Sequence, residues 1–280
     1  MHIVITGASS GIGAAYARAF SEAGHSLTLV ARRRELLEAL AAELPTRTFL
    51  VTQDLSDLAS ATSFLASAEA ELGPIDVLVN NAGVQVVGRT ATLDVAECER
   101  MLDVDLKAPL RLTLALLPKM LARRAGTIVD VASMAALAPT PGMTYYNAAK
   151  AGLAAASESL RGELRGSGVH VVTVYPGIIA STEMAQASLA KYAESKLLPY
   201  LGGDVTMLAR LTLRAIERRR DRVIYPRSGV LARLFPGTTR WLLDRVTPGF
   251  RTAPLGQDEP ASPQSPTRAA AREPAQSPAS

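Results

Sequence analysis

Residues 6–13 of the chain read Thr6-Gly7-Ala8-Ser9-Ser10-Gly11-Ile12-Gly13. This run follows a short apolar segment, His2–Thr6, and leads into an alanine-rich stretch typical of a helix. Glycine lets the backbone turn tightly and approach an anion closely, and a helix N-terminus offers free N–H groups and a positive dipole end. The run therefore predicts a strand–loop–helix unit that binds a pyrophosphate. The alternative is a tight turn that only packs a helix on a sheet.

Apolar, β-branched segments alternate with helical segments along the rest of the chain. The predicted strands are His2–Thr6, Leu27–Ala31, Thr48–Thr52, Asp76–Val79, Thr127–Val131, Val169–Tyr175 and Arg222–Tyr225. They are apolar throughout, as in parallel strands covered on both faces. The predicted helices are Gly11–Ala23, Arg34–Glu43, Ser56–Leu72, Asp94–Arg124, Thr144–Gly166 and Asp204–Arg219. This order predicts an α/β fold, a Rossmann-like doubly wound parallel sheet of about seven strands in one domain.

Two segments do not fit the alternation. Residues 180–203 are long for a loop, and long ordered insertions of this kind are usually functional, so we expect a substrate lid there. Residues 251–280 are rich in Pro, Ala, Ser and Gln and poor in large apolar side chains, which predicts a disordered tail. The catalytic domain is then expected over residues 1–250.

Composition sets broad limits on function. The chain has 280 residues, 48% of them hydrophobic and 20% charged, with a net charge of +4. Such a small excess affects solubility and does not imply nucleic acid, for which we find no recognised motif. Cys98 is the only cysteine, so no internal disulfide forms, and we expect it to be a packing residue. With no signal segment, no apolar run of ~18 residues and no metal-ligand spacing of histidines, we expect a cytoplasmic protein without a metal.

Further motifs follow the glycine loop in a fixed order. Asn80-Asn81-Ala82-Gly83 follows the fourth strand, Ser133 the fifth, and Tyr175-Pro176-Gly177 ends the sixth, with Thr182 shortly beyond. Between Ser133 and Tyr175 stands Tyr146-Asn147-Ala148-Ala149-Lys150, a YxxxK pattern. Together with TGASSGIG, these motifs make residues 1–225 resemble the short-chain dehydrogenases/reductases. The resemblance implies that the cofactor is held by Gly7, Ser9, Ser10, Gly11, Ile12, Gly13, Asn81, Ala82, Gly83, Tyr146, Lys150, Pro176, Gly177, Ile179 and Thr182.

Tyr146 and Lys150 suit proton transfer. Tyrosine titrates near ~10, too high for an efficient base at neutral pH, and a nearby ammonium lowers that pKa. Positions i and i+4 share one face of a helix, so Lys150 lies one turn from Tyr146, whereas the neighbouring Tyr145 pairs with Ala149. The resemblance implies that Ser133 holds the substrate oxygen and that Lys150 also bonds the nicotinamide ribose.

Asp105 departs from the family pattern. The family usually has asparagine in a VNL context, whereas this chain reads Val104-Asp105-Leu106. In the family this position supports a water linked to the lysine, largely through its backbone carbonyl, and aspartate keeps that carbonyl. We place Asp105 with the catalytic residues and expect its carboxylate to shift the coupled proton equilibria near Lys150.

The end of the second strand predicts the type of nicotinamide cofactor. An acid there would bond the 2′-hydroxyl of NAD, whereas an arginine would pair with the 2′-phosphate of NADP. The chain reads Arg32-Arg33-Arg34, so we favour NADP(H) with Arg32 on the phosphate, Arg33 as a second contact and NAD(H) as the alternative. The alternative for all three arginines is a solvated helix start.

Asp54 resembles the family's acid that bonds the adenine amino group, and Leu55 joins it in the cofactor site. The alternative for Asp54 is helix capping.

These residues predict an oxidoreductase that moves a hydride between a nicotinamide and a carbonyl or secondary-alcohol substrate. Its pocket is expected to be apolar, with Met134, Leu137, Pro139, Met143, Ile178, Ile179 and Met184. The family implies a homodimer or homotetramer.

A basic amphipathic segment at residues 228–247 either packs on the protein or lies on an anionic membrane, and Pro236-Gly237 weakens the second possibility. The alternative function is a non-catalytic NAD(P)-binding sensor or scaffold, which intact Ser133, Tyr146 and Lys150 argue against.

Overall fold

A computed structural model describes residues 1–189, 202–227 and 229–246. Residues 190–201 of the predicted lid and the whole predicted tail, 251–280, lie outside the described residues. The other sequence predictions can be compared with the structure directly.

Seven parallel strands form one sheet within the described residues, in the order β3-β2-β1-β4-β5-β6-β7. Their bounds are β1 His2–Thr6, β2 Ser26–Ala31, β3 Thr48–Thr52, β4 Val77–Asn80, β5 Gly126–Val131, β6 Val169–Pro176 and β7 Arg222–Tyr225. The order reverses between β1 and β4, so the loops after these two strands run to opposite sides. A crevice opens at such a point, beyond the carboxyl ends of the strands. The predicted doubly wound sheet is confirmed.

Helices cover both faces of the sheet. Their bounds are α1 Gly11–Glu22, α2 Arg34–Glu43, α3 Phe64–Leu72, α4 Val95–Leu102, α5 Ala108–Ala122, α6 Thr144–Glu163, α7 Glu183–Leu189, α8 Val205–Glu217, α9 Gly229–Leu234 and α10 Pro236–Val246. One buried apolar cluster joins α1, α2 and α8 to the sheet, and a second joins α3 and α5 to its other face. Strands β1, β2, β4, β5 and β6 are buried along nearly their whole length because helices cover both faces of the sheet. Cys98 is buried in α4, in keeping with a packing role.

The predicted helix Ser56–Leu72 is wrong in its first half, because α3 begins only at Phe64. Side chains there bond to nearby residues instead. Asp54 Oδ1 accepts from the Ser56 N–H (2.9 Å), and Asp57 Oδ1 accepts from the Ala59 N–H (3.1 Å). Such local bonds compete with helical ones and favour turns.

The predicted helix Asp94–Arg124 is also wrong as one element. Between α4 and α5 lies a π-helical turn, Asp103–Lys107, in which the Ala108 N–H bonds to the Asp103 carbonyl five residues back. Pro109 explains the wider turn, because proline has no N–H and its ring clashes with the carbonyl four residues earlier, that of Asp105. The Asp105 side chain is fully buried at this turn.

The described part of the amphipathic segment, residues 229–246, forms two short helices, with Pro236 starting the second, and residues 228 and 247 lie outside the described residues. Arg240 Nη1 donates to the Pro139 carbonyl at 3.2 Å, so α10 lies beside the loop that follows β5. Apolar side chains of the segment stay exposed, among them Leu231, Leu234, Phe235, Trp241 and Leu242. None of the described helices is long and apolar enough to cross a membrane. Contact with a membrane surface stays a prediction.

Two helical glycines give a matched stability test of the close packing at β1. A Cβ at Gly13 would stand 2.2 Å from the Gly7 carbonyl oxygen, whereas a Cβ at Gly162 in α6 would meet nothing within 4 Å. Gly13→Ala is expected to lower the free energy of unfolding by about 1–3 kcal/mol through overpacking. Gly162→Ala is expected to raise it by about 0.5–1 kcal/mol through helix propensity. Urea unfolding measures both; equal effects of the two substitutions would contradict the packing described.

Candidate active site

The glycine loop after β1 forms a cradle that side chains would fill. Gly7 and Gly11 have φ values of 66° and 55°, which favour glycine, and Gly13 has no room for a Cβ. The next residues begin α1, and its N-cap, Ser10, makes no side-chain capping bond. The first N–H groups of α1 therefore point toward the crevice without a side-chain cap, which suits a bound anion.

The Asn80–Gly83 loop is tied to the end of β1. Asn81 Nδ2 donates to the carbonyls of Thr6 (2.9 Å) and Gly7 (3.3 Å). The N–H groups of Asn81 and Ala82 both donate to Thr6 Oγ1, each at 3.0 Å. A Cβ on Gly7 would come within 2.7 Å of the Ala82 Cα. These contacts fix the loops after β1 and β4 against each other across the crevice.

Arg33 reaches the glycine loop. Its Nη2 lies 3.2 Å from Ser10 Oγ and 3.5 Å from Ser9 Oγ, and its Nη1 lies 3.9 Å from Glu183 Oε2. A guanidinium at the rim of a bare helix N-terminus gives this site the charge that a dinucleotide phosphate needs. The cradle, the helix end and Arg33 together fit a phosphate-bearing dinucleotide.

Arg32 lies on the other side of the same strand end, near Asp54. Partial burial raises the pKa of Asp54. Hydrogen bonds from Ser56 and the charges of Arg32 and Arg100 lower that pKa by more, so the net direction is downward. The Asp54 carboxylate accepts hydrogen bonds from the N–H and hydroxyl of Ser56 in a turn, and no helix begins there for it to cap. Leu55 beside it is buried in the core. The geometry brings Arg33, more than Arg32, to the loop.

The loop after β6 closes the crevice from the side of β7. The Gly177 N–H donates to the Tyr225 carbonyl at 2.7 Å, continuing the pairing of Pro176 with Tyr225. Thr182 Oγ1 donates to the Ile179 carbonyl (2.9 Å), and its methyl group would lie 3.3 Å from a Cβ on Gly11. Thr182 thus stands over the glycine loop, whereas Ile179 is buried in the core.

Tyr146 and Lys150 lie one turn apart in α6, as their spacing predicts. Lys150 Nζ is 5.9 Å from the centre of the Tyr146 ring, and both side chains are buried. Ser133 ends β5 in an extended conformation, and its Oγ accepts from the Ala135 N–H at 3.1 Å. Its hydroxyl lies near enough to Tyr146 to lower the pKa of that phenol. Tyr145 is only partly buried.

The Asp105 carboxylate, and not only its backbone, contacts Lys150. Asp105 Oδ2 lies 3.2 Å from Lys150 Nζ, and Oδ1 accepts from the Val84 N–H at 2.7 Å. Lys150 Nζ also donates to the Val131 carbonyl at 3.2 Å. Burial lowers the pKa of Lys150, but the charge of Asp105, and that of Tyr146 once its phenol ionises, outweigh burial and raise that pKa. Lys150 is therefore a buried ammonium held by a buried carboxylate.

Burial and two charges, besides the Ser133 hydroxyl, set the pKa of Tyr146. Burial raises it most, the Lys150 ammonium lowers it, and the Asp105 carboxylate raises it again; the net direction is upward. Burial likewise raises the pKa of Asp105, against the opposing effects of Lys150 and the Val84 N–H. The phenol is therefore protonated at neutral pH in this structure. Asp105 offsets part of the lowering of the Tyr146 pKa that Lys150 causes.

Sequence reasoning missed two polar residues near the site. Asp130 in β5 is buried and accepts from Asn80 Nδ2 at 2.8 Å, and its charge adds to those that raise the pKa of Lys150. Gln85 accepts a hydrogen bond from Ser188 of α7 and lies 3.3 Å from Met143 Sδ, so it joins the Asn80–Gly83 loop to the start of the lid. Gln85 stands two residues after Gly83, which is the signal that could have found it.

No group of three or more His, Cys, Asp or Glu side chains among the described residues is arranged to hold a metal. A cavity of about 440 Å³ is present, but it contains none of the motif residues and lies at the amino ends of β5, β6 and β7. We assign the chemistry to the crevice, because Tyr146, Lys150 and Asp105 meet there.

The chain is similar to known proteins in sequence. Residues 1–193 match the family model described as short chain dehydrogenase. A short chain dehydrogenase of Pseudocercospora fijiensis is 37% identical over 185 residues, which are 64% of this chain and 59% of that protein, so the chain spans less than two thirds of that relative. An NADP-dependent 3-hydroxy acid dehydrogenase of Salmonella typhi is 36% identical over 186 residues, 66% of this chain and 75% of that protein.

It is also similar to a solved structure, a short-chain dehydrogenase from Sphingobium yanoikuyae in complex with NADPH. That structure has a TM-score of 0.72 and 30% sequence identity, and the match covers 88% of this chain and 96% of that one. Because the family model accounts for more than half of the sequence and the fold agrees with it, the chain belongs to the short chain dehydrogenase family.

Proposed function

We propose that the protein is an NADP(H)-dependent oxidoreductase that interconverts a carbonyl and a secondary alcohol, working chiefly as a reductase. The observation that carries this proposal is the buried group of Tyr146, Lys150 and Asp105, which lies beside the anion cradle of the glycine loop. A proton donor and a dinucleotide cradle in one crevice are the two things that carbonyl reduction needs from a protein.

The cradle and the two arginines would hold the cofactor. Gly7, Gly11 and Gly13 admit the pyrophosphate against the N-terminus of α1, with Arg33 and Arg32 at the end of β2 beside the ribose phosphate. Asn81 keeps the opposite wall in place. When bound, the nicotinamide supplies or accepts the hydride. An NADP-dependent relative and a solved structure in complex with NADPH support the choice of NADP(H).

Tyr146 donates the proton to the substrate oxygen. Its raised pKa keeps the phenol protonated at neutral pH, which is the state required for carbonyl reduction. The Ser133 hydroxyl holds the same substrate oxygen beside the phenol. As the proton leaves, the Lys150 ammonium stabilises the phenolate that remains, and Asp105 and the Val131 carbonyl keep that ammonium in position.

The substrate side of the crevice is lined by apolar and sulfur-containing side chains. Met134 and Leu137 are partly buried beside Tyr175, Met143 contacts Gln85, and Met184 of α7 is partly exposed. Methionine adapts to irregular shapes, so this wall suits a medium-sized apolar carbonyl compound. A solved alcohol dehydrogenase from Comamonas testosteroni described as specific for bulky-bulky ketones, with a TM-score of 0.70 and 28% identity, supports this substrate class.

A second copy of the chain is the proposed partner. Leucines of α5 are exposed, namely Leu110, Leu114 and Leu121, with Leu114 at 72%. A row of exposed leucines on a helix favours burial against another helix. This supports a homodimer or homotetramer with α5 in the interface.

Replacement of the phenol tests the proposed proton donor. Tyr146→Phe is expected to lower turnover with NADPH and a carbonyl substrate by about 10²–10⁴-fold, because general acid catalysis contributes about that much. NADPH binding, followed by fluorescence, should stay close to that of the wild type. Tyr145→Phe is the matched control and should keep its turnover. If wild type and Tyr146→Phe both bind NADPH and neither turns over any carbonyl or alcohol, the sensor or scaffold function is correct instead.

Replacement of the arginines tests the choice of cofactor. Arg33→Ala is expected to raise KM for NADPH about 10–100-fold and to leave KM for NADH unchanged, since a charged hydrogen bond contributes about 1.5–3 kcal/mol. Arg32→Ala is expected to act in the same direction with a smaller effect, because Arg33 lies closer to the loop. Arg34→Ala is the control, since Arg34 pairs with Glu38 on the surface of α2. Equal effects on NADPH and NADH would contradict 2′-phosphate recognition.

A further inference from the structure

A second concave site lies at the end of the sheet opposite the active site. The cavity has a volume of about 440 Å³ and is formed by the segments that precede β5, β6 and β7, together with the end of α6. Its lining residues are Arg124, Arg161, Leu164, Arg165, Gly166, Gly168, Val169, His170, Val171, Arg219 and Asp221. None of these residues takes part in the proposed reaction.

The lining is strongly cationic. Arg124, Arg161, Arg165 and Arg219 supply four positive charges, and Asp221 is the one acidic residue of this lining. Arg161 is already paired with Glu158, which lies outside the lining, at 2.6 Å. The C-termini of α5, α6 and α8 lie at this end of the sheet, and each contributes on the order of half a negative charge. These helix ends, Asp221 and Glu158 together offset only part of the charge of the four arginines, so the cavity keeps a net positive charge.

Two of the guanidiniums are held in place by backbone carbonyls. Arg124 Nη2 donates to the Gly166 carbonyl and Arg219 Nη2 donates to the Gly168 carbonyl, each at 3.0 Å. Arginine has five N–H donors, so each of these bonds leaves most of the fork able to bind an anion. The loops are packed closely, since a Cβ on Gly168 would lie 2.0 Å from the Arg124 carbonyl oxygen. The cationic groups are therefore arranged before any ligand arrives.

The pKa of His170 depends on the charges of the arginines around the cavity. His170 Nε2 lies 3.2 Å from the Arg220 carbonyl oxygen, so Nε2 carries the hydrogen and donates. Burial is the main cause that lowers the pKa of His170, and the charges of Arg219 and Arg161 lower it further, against the raising effects of that hydrogen bond and Asp221. An anion in the cavity would oppose the effect of the arginines.

We propose that this cavity binds a small phosphate-bearing anion. Guanidinium forks match pairs of phosphate oxygens, and Arg124, Arg165 and Arg219 around one cavity give the charge that a phosphate dianion requires. The volume is within the range of small-molecule sites and exceeds what one phosphate group fills, which favours a phosphate ester of a small organic molecule. The site is separate from the crevice, so it stands whether or not the proposed reaction is correct.

Calorimetric titration at low ionic strength tests the proposal, with sn-glycerol 3-phosphate and inorganic phosphate as separate probes and glycerol as the neutral control. The phosphate ester and inorganic phosphate are both expected to bind, whereas glycerol is expected not to bind. Tighter binding of the ester identifies an organic phosphate as the ligand class, and equal binding identifies phosphate itself. Arg165→Ala changes an exposed side chain, and Arg124→Asn suits the left-handed backbone there (φ 52°). Each is expected to weaken binding about ten-fold.

Two further variants locate the bound anion. Arg47→Ala removes an exposed arginine just before β3, at the same end of the sheet but outside the cavity, and should bind as the wild type does. Arg33→Ala removes the cation at the glycine loop and should leave one phosphate site intact. In parallel, NMR titration of His170 should show its pKa rising when phosphate is added. Absence of binding, or binding lost in Arg33→Ala and unchanged in Arg165→Ala and Arg124→Asn, would overturn the proposal.

Discussion

The buried ammonium of Lys150 is the constraint on which the active site depends. An ion removed from water costs several kcal/mol unless partners replace its hydration. Here the partners come from different elements: the Asp105 carboxylate from the π turn and the Val131 carbonyl from the end of β5. Holding one cation therefore aligns α6, β5 and the central helices. Tyr146, one turn away on α6, takes its position and its electrostatic environment from this arrangement.

The same centre is joined to the dinucleotide cradle. A Cβ on Gly83 would come within 3.0 Å of Asp105 Oδ2 and 3.3 Å of Lys150 Nζ, so the Asn80–Gly83 loop packs directly on the ion pair. That loop in turn fixes the glycine loop through Asn81 and Thr6. The reacting end and the phosphate end of the crevice are thus parts of one packed unit, which explains why glycines are needed at both.

The sequence alone predicted the parallel sheet and the placement of the motifs, because buried strands are read directly from apolar runs and the motifs are local. It did not predict the break at Asp103–Lys107, which follows from the clash of Pro109 with a carbonyl one turn back. It favoured Arg32 for the phosphate, whereas side-chain directions bring Arg33 to the loop. The arginine cavity could not be predicted from the sequence, because Arg124, Arg165 and Arg219 come from three separate segments that only the fold brings together.

Burial and the Asp105 carboxylate raise the pKa of Tyr146 against the effect of the Lys150 ammonium, so the phenol stays a proton donor at neutral pH. Reduction needs the protonated phenol, so its rate falls as pH rises through the pKa of Tyr146, and the Asp105 charge raises that pKa. The most direct test is the pH profile of carbonyl reduction for Asp105→Asn, with Asp103→Asn as the control, since Asp103 pairs with Lys107 at the surface. The falling limb should move to lower pH in Asp105→Asn and stay in place in Asp103→Asn. A limb that is unchanged or moves to higher pH in Asp105→Asn would contradict the account.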